Sequence, residues 1–147
     1  MKSTAIGLLV CCALLQAGAA ELNWLTDLPK AQAKAKEENK QVLLDFTGSD
    51  WCGWCIKFNK EVLSTPEFAE YAAKNLVLVE VDFPRKKAQS AGLKKANSAL
   101  GSNYKVDGYP TFVVLSKDGK EIGRQEGYAK GGAKAFIAKL EGRKAKN

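Results

Sequence analysis

The chain has 147 residues, is 46% hydrophobic and 27% charged, carries a formal net charge of +7, and contains four Cys and no His. That length suits one domain with its own core rather than a miniprotein held by disulfides, and the missing histidine excludes a His-assisted thiol mechanism or a His-ligated metal. A scattered excess of Lys points to solubility or to acidic surfaces.

In chain order, residues 1–20 hold Lys2, an apolar stretch from Ala5 to Leu15, and Gln16-Ala17-Gly18-Ala19-Ala20. A basic start, a short apolar run and small terminal residues make the pattern of a secretory signal. The run is too short to span a bilayer, and no later segment approaches the roughly 18–20 apolar residues a span needs. Removing residues 1–20 leaves 127 residues at net charge +6, since that stretch holds one Lys and no acid. The expectation is a signal peptide over 1–20 and one domain over 21–147, exported and periplasmic, with no integral membrane segment after processing and no nucleic-acid partner. Cys11 and Cys12 go with the signal, so Cys52 and Cys55 are the cysteines that remain.

From Thr26 to about Asn39, Leu28, Ala31 and Ala35 recur at helical spacing, with Thr26 or Asp27 as cap and Pro29 in the first turn. Gln41 to Phe46 is apolar apart from Asp45, as in a central strand covered on both faces. Thr47 to Asp50 turns into Trp51-Cys52-Gly53-Trp54-Cys55, and a helix is expected from there to about Leu63. Ser64 and Glu67 have capping-box spacing around Pro66, opening a helix with Phe68, Tyr71 and Ala72 on one face. Leu76 to Val81 is a second strand, parallel to the first through a right-handed crossover. Phe83 to Ser90 is a basic turn, and Leu93, Ala96, Leu100 and Tyr104 then line a helix. Thr111 to Leu115 is a strand, Lys117-Asp118-Gly119-Lys120 a hairpin signal, and a polar edge strand runs to about Glu126. A closing helix puts Ala133, Phe136, Ile137 and Leu140 on one face, and Lys144 to Asn147 is expected as a frayed tail.

Two thiols separated by two residues form and break a disulfide reversibly. Amides at a helix start favour Cys52 as thiolate, the species that attacks another disulfide. A static local disulfide or half of a zinc site are the plainer alternatives, and zinc wants about four ligands. Arg85-Lys86-Lys87 and Lys94-Lys95 read as solvated surface.

A strand bearing Asp45, the Trp-Cys-Gly-Trp-Cys helix start, Gly108-Tyr109-Pro110-Thr111 before a strand, then a hairpin and a last helix together resemble the thioredoxin superfamily, in particular exported bacterial members with Phe-Thr-Gly-Ser before the cysteines. The likeness covers about Val42 to Leu140. It implies an α/β thioredoxin fold, with a central mixed sheet of about four strands flanked by helices and an added N-terminal helix. It implies Cys52 as the exposed attacking thiol, Cys55 as the buried resolving thiol, and Asp45 beneath them handling the proton of Cys55. Pro110 would be cis and face the disulfide, the Tyr109 backbone would pair with substrate, and Trp51, Gly53 and Trp54 would border the site. The acid lies one residue further from the first cysteine than in the usual thioredoxin, and Trp54 replaces the usual Pro. Potentials in such enzymes span roughly −270 to −120 mV and depend on the residues between the cysteines, so Trp54 leaves the direction of electron flow open. The resulting expectation is a thiol-disulfide oxidoreductase, needing no cofactor or metal, that acts on cysteine-containing exported proteins and exchanges electrons with a redox partner. A thioredoxin-like binding or chaperone module with a structural disulfide is the alternative.

Overall fold

The computed structural model describes residues 21–144. The signal expected over 1–20 and the tail at 145–147 lie outside the described residues. The elements are β1 (Trp24–Leu25), α1 (Leu28–Glu38), β2 (Gln41–Thr47), α2 (Gly53–Phe58), a π-helical turn (Asn59–Leu63), α3 (Pro66–Asn75), β3 (Leu76–Asp82), α4 (Ala91–Asn103), β4 (Thr111–Leu115), β5 (Glu121–Glu126) and α5 (Gly132–Lys144).

The sheet runs β1-β3-β2-β4-β5, with β1, β3 and β2 parallel, β4 antiparallel to β2 and β5 antiparallel to β4. It has five strands, one more than expected. The extra strand, β1, is two residues long, too short to show alternation, and is held by pairing Trp24 with Leu78 and Leu25 with Val79.

Strand alternation sorts β2 between two cores. Val42, Leu44 and Phe46 face Ala31 and Ala35 of α1, with Leu100 and Tyr104 beside them. Leu43 faces the opposite way, against Phe58, Val62, Phe68, Phe112, Phe136 and Leu140. In that second core Phe58 lies 4.5 Å from Phe112 and 5.1 Å from Phe136, centroid to centroid. Burying each such ring contributes about 1.5–3 kcal/mol.

Three helices start with a side-chain oxygen accepting an N–H three residues on: Asp27 from Lys30, Thr65 from Phe68 and Ser90 from Leu93. Thr65 therefore caps α3, not Ser64. Pro66 occupies the first helical turn, which makes the residue before it the cap, and Ser64 Oγ donates to Asn59 instead. The expected long helix after the cysteines changes pitch at Asn59 into the π turn, which still buries Val62 and Leu63. In α4, Ala96 is exposed and the buried residue is Asn97. Its amide donates to the Asp82 carbonyl at 2.9 Å, a polar anchor that apolar periodicity does not reveal.

Candidate active site

The site is built where β2 ends. After Thr47 the chain turns through Gly48, whose carbonyl accepts the N–H groups of Trp51 and Cys52 at 3.2 and 2.8 Å. A Cβ on Gly48 would sit 2.5 Å from the Trp51 ring, so only glycine lets the indole lie flat on the turn. Ser49 ties the turn to β3, donating its N–H and Oγ–H to the two Asp82 oxygens at 2.9 and 2.5 Å.

Cys52 then stands in the slot that Asp27, Thr65 and Ser90 fill elsewhere. It is the N-cap of α2, and its Sγ accepts the Cys55 N–H at 3.2 Å. Its backbone is extended, at φ −81° and ψ 103°, as a cap residue requires. The Cys52 and Cys55 sulfurs are joined in a disulfide with Cα atoms 5.2 Å apart. The two cysteines are 7% and 5% exposed. The expected contrast of an exposed Cys52 with a buried Cys55 is absent in this oxidised form, because the cap position turns the Cys52 sulfur in toward the helix backbone.

Asp45 is buried, 6% exposed, and shares a strand face with Leu43, which lies against Phe58 of α2. It is thus on the sheet face that α2 covers. Its Oδ1 finds no hydrogen-bond partner. Loss of hydration pushes its carboxyl up to about 8, with smaller contributions from the charges of Glu80 and Asp82. Glu80 is its register neighbour on β3 and is raised too, by burial and then by Asp82.

The two tryptophans differ sharply. Trp51 is half-buried: its Nε1–H donates to the Phe83 carbonyl at 2.8 Å, and its ring meets Tyr109 edge-on at 5.9 Å. The Arg85 guanidinium stacks 3.7 Å from its centroid. Trp54 is 58% exposed and rests against Tyr128 at 5.1 Å, with the Lys57 ammonium over both rings. Gly53 is exposed, with open space where a Cβ would be. Tyr109–Pro110 is a cis bond; Pro110 is buried and Tyr109 half-buried, stacked on Phe83 at 5.2 Å. The Pro110 carbonyl accepts the N–H of Gly127, which takes the positive φ of 73° that glycine tolerates.

Sequence reasoning missed Asp50, Glu80, Phe83 and Tyr128. Asp50 Oδ1 accepts the Arg85 N–H at 2.9 Å, and Oδ2 accepts those of Lys86 and Lys87 at 2.7 Å each. These donors, Arg85 foremost, hold its carboxyl below the ordinary range. An Asp in the turn before the motif was the available signal for Asp50. Phe83 and Tyr128 offered none, since their partners are 32 to 74 residues away or on another element.

Residues 28–143 match the family model described as a thioredoxin-like domain. The disulfide bond reductase DsbH of Chlamydia pneumoniae is 39% identical over 123 residues, which cover 84% of this chain and 73% of that protein. The thioredoxin-related protein DsbJ of the same organism is 38% identical over 69% of this chain, although the match spans 29% of DsbJ. A solved structure of a DsbH oxidoreductase superposes with a TM-score of 0.79 at 34% identity, covering 97% of this chain and 94% of that one. With the sheet order, the paired cysteines at a helix start and these relatives in agreement, the chain belongs to the thioredoxin-like family and is a thiol-disulfide oxidoreductase.

Proposed function

We propose that the chain reduces disulfides of exported proteins in the bacterial envelope after loss of residues 1–20, with Cys52 attacking and Cys55 resolving. The observation that carries the assignment is the N-cap geometry, in which Cys52 Sγ receives a helix N–H. An anion gains from such a donor and from the helix dipole, so this sulfur is the easier one to hold as thiolate. The reductive direction rests on similarity to a protein named a disulfide bond reductase.

The Cys52 thiolate attacks one sulfur of a substrate disulfide. A Cys52–substrate bond forms, the substrate S–S bond breaks, and one substrate thiolate leaves. Asp45 takes the proton of Cys55 in its ionised form, a form that grows as pH approaches about 8, and the Cys55 thiolate attacks Cys52 Sγ, closing the Cys52–Cys55 disulfide and releasing the second substrate thiolate. Two electrons pass to the substrate, and a dithiol redox partner returns them. A carboxyl held at about 8 is well matched to this transfer, since a thiol ordinarily titrates near 8.5. Tyr109 presents its backbone to the substrate beside Pro110. Among the described residues no hydrogen bond occupies the Tyr109 N–H or C=O, which suits strand addition. Trp51, Gly53 and Trp54 line the approach.

Equilibrating the cysteine pair with glutathione tests the direction: a reductase gives a potential near the thioredoxin end, about −270 mV, and a value near about −120 mV overturns it. Cys55→Ala is expected to accumulate mixed disulfides with client proteins, and Cys52→Ser to lose insulin reduction. Full turnover by Cys52→Ser would overturn the assignment of the attacking thiol.

A further inference from the structure

The loop from Phe83 to Ser90 joins β3 to α4 and carries Arg85, Lys86 and Lys87, all exposed. Its side chains are solvated, but its backbone is fixed to the cysteine motif at several points. Asp50 takes three consecutive N–H groups from residues 85–87 at 2.7–2.9 Å. Trp51, the residue before Cys52, holds the Phe83 carbonyl and lies under the Arg85 guanidinium at 3.7 Å. Phe83 in turn stacks on Tyr109, the residue before the cis proline. The loop is therefore bound to both halves of the site, with the Arg85 guanidinium held on Trp51, the residue next to Cys52.

Among the described residues none of these three cations is in an ion pair; Lys87 Nζ donates to the neutral Ser49 Oγ at 3.0 Å. The nearby acids Asp50 and Asp82 are bonded to N–H and O–H donors but keep their charge, and Lys87 also acts on Asp50 and Glu80. Three exposed cations against the two carboxylates of Asp50 and Asp82 leave the loop with a positive excess. A flexible lysine loop spreads its charge over a wide volume, whereas one clamped at three amides keeps it at a set place and discriminates between partners.

We propose that Arg85, Lys86 and Lys87 form a fixed basic lip that selects substrates bearing acidic residues beside the reacting cysteine. The proposal rests on the reading of Cys52 as the attacking thiol, because only a substrate sulfur brought to Cys52 carries its flanking residues across Trp51 to the lip. The placement favours a peptide over a membrane surface, since the charge adjoins the sulfur chemistry itself.

The test uses reduced enzyme in single turnover against three peptide disulfides that differ only in flanking residues: Asp, Ser or Lys on both sides of the cysteine. The Asp peptide is expected to react about tenfold faster than the Lys peptide at low ionic strength, with the ratio shrinking toward one as salt screens the lip. Lys86→Glu keeps the Arg85 stack and the Asp50 contacts, and is expected to narrow the ratio; reversing all three charges inverts it, which a merely structural role would not do. Equal rates for the Asp and Lys peptides, or a ratio unchanged in the variants, overturn the lip while Cys52-dependent reduction of the Ser peptide leaves the thiol assignment standing. Failure of the Ser peptide to react through Cys52 overturns that assignment and the lip with it. A Lys86→Glu variant that loses binding to vesicles containing anionic phospholipid, with peptide rates unchanged, makes the loop a membrane contact and overturns the proposal.

Discussion

Asp45 and Asp50 lie on either side of the turn that leads to Cys52, and the fold drives their carboxyls in opposite directions. Asp45, on the strand floor, has lost water and gained no partner at Oδ1, and rises to about 8. Asp50, on the rim, collects three backbone N–H donors and falls below its ordinary value. One residue type thus supplies a buried proton-holding group on the sheet and a structural anion beside the cysteine motif. Hydration and donor count decide between these roles, and chain position does not.

The largest expected effect separates the two by pH. Asp45 keeps its proton in the folded state and loses it in the unfolded chain between about pH 4 and pH 8. Its contribution is therefore complete below the unfolded value of 3.8 and is lost as pH rises through about 8. Asp45→Asn carries no charge, so its stability relative to the wild type is expected to improve between about pH 5 and pH 9 by on the order of a few kcal/mol, at about 1.4 kcal/mol per unit. Urea unfolding at both pH values measures this, and a constant difference would show that Asp45 is hydrated in the fold.

Asp50 has the opposite sense: its lowered carboxyl contributes in full above its ordinary value, and the contribution is lost as pH falls from there through the lowered folded value. Asp50→Ala is expected to free the loop without unfolding the sheet. The check is amide exchange at Arg85, Lys86 and Lys87, which should quicken about tenfold while exchange in β2 and β3 stays as it was. Equal acceleration in the strands would mean that floor and rim open together. Smaller still is Ser49→Ala, which removes the Oγ–H that joins the rim to Asp82. A loss of about 1 kcal/mol in thermal unfolding is expected, and no loss would show the two regions to be independent.

Much of the fold was legible because its signals are local. The apolar run of β2, the cap before α1 and the Asp118-Gly119 turn each lie within a few residues. The cysteine pair was legible for the same reason. The burial of Asp45 was not, since it depends on α2 covering one parity of β2. Nor were the Asp50 contacts, 35 to 37 residues apart in sequence, or the role of Asn97, a polar residue on a face read by its apolar members. Basic residues at 85–87 read as ordinary surface because exposure of the side chains says nothing about what holds the backbone.

The two-residue strand β1 bears on a hazard of the trade. An open sheet border can pair with exposed strands of other chains and seed aggregation. Here Trp24 and Leu25 occupy the border of β3 at Leu78 and Val79. The opposite border, β5, carries Glu121, Arg124 and Glu126 in ion pairs, and its pairing with β4 is interrupted by a register shift at Val114/Leu115. With both margins blunted, the Tyr109 backbone before the cis proline is left as the stretch proposed above for strand addition by a client.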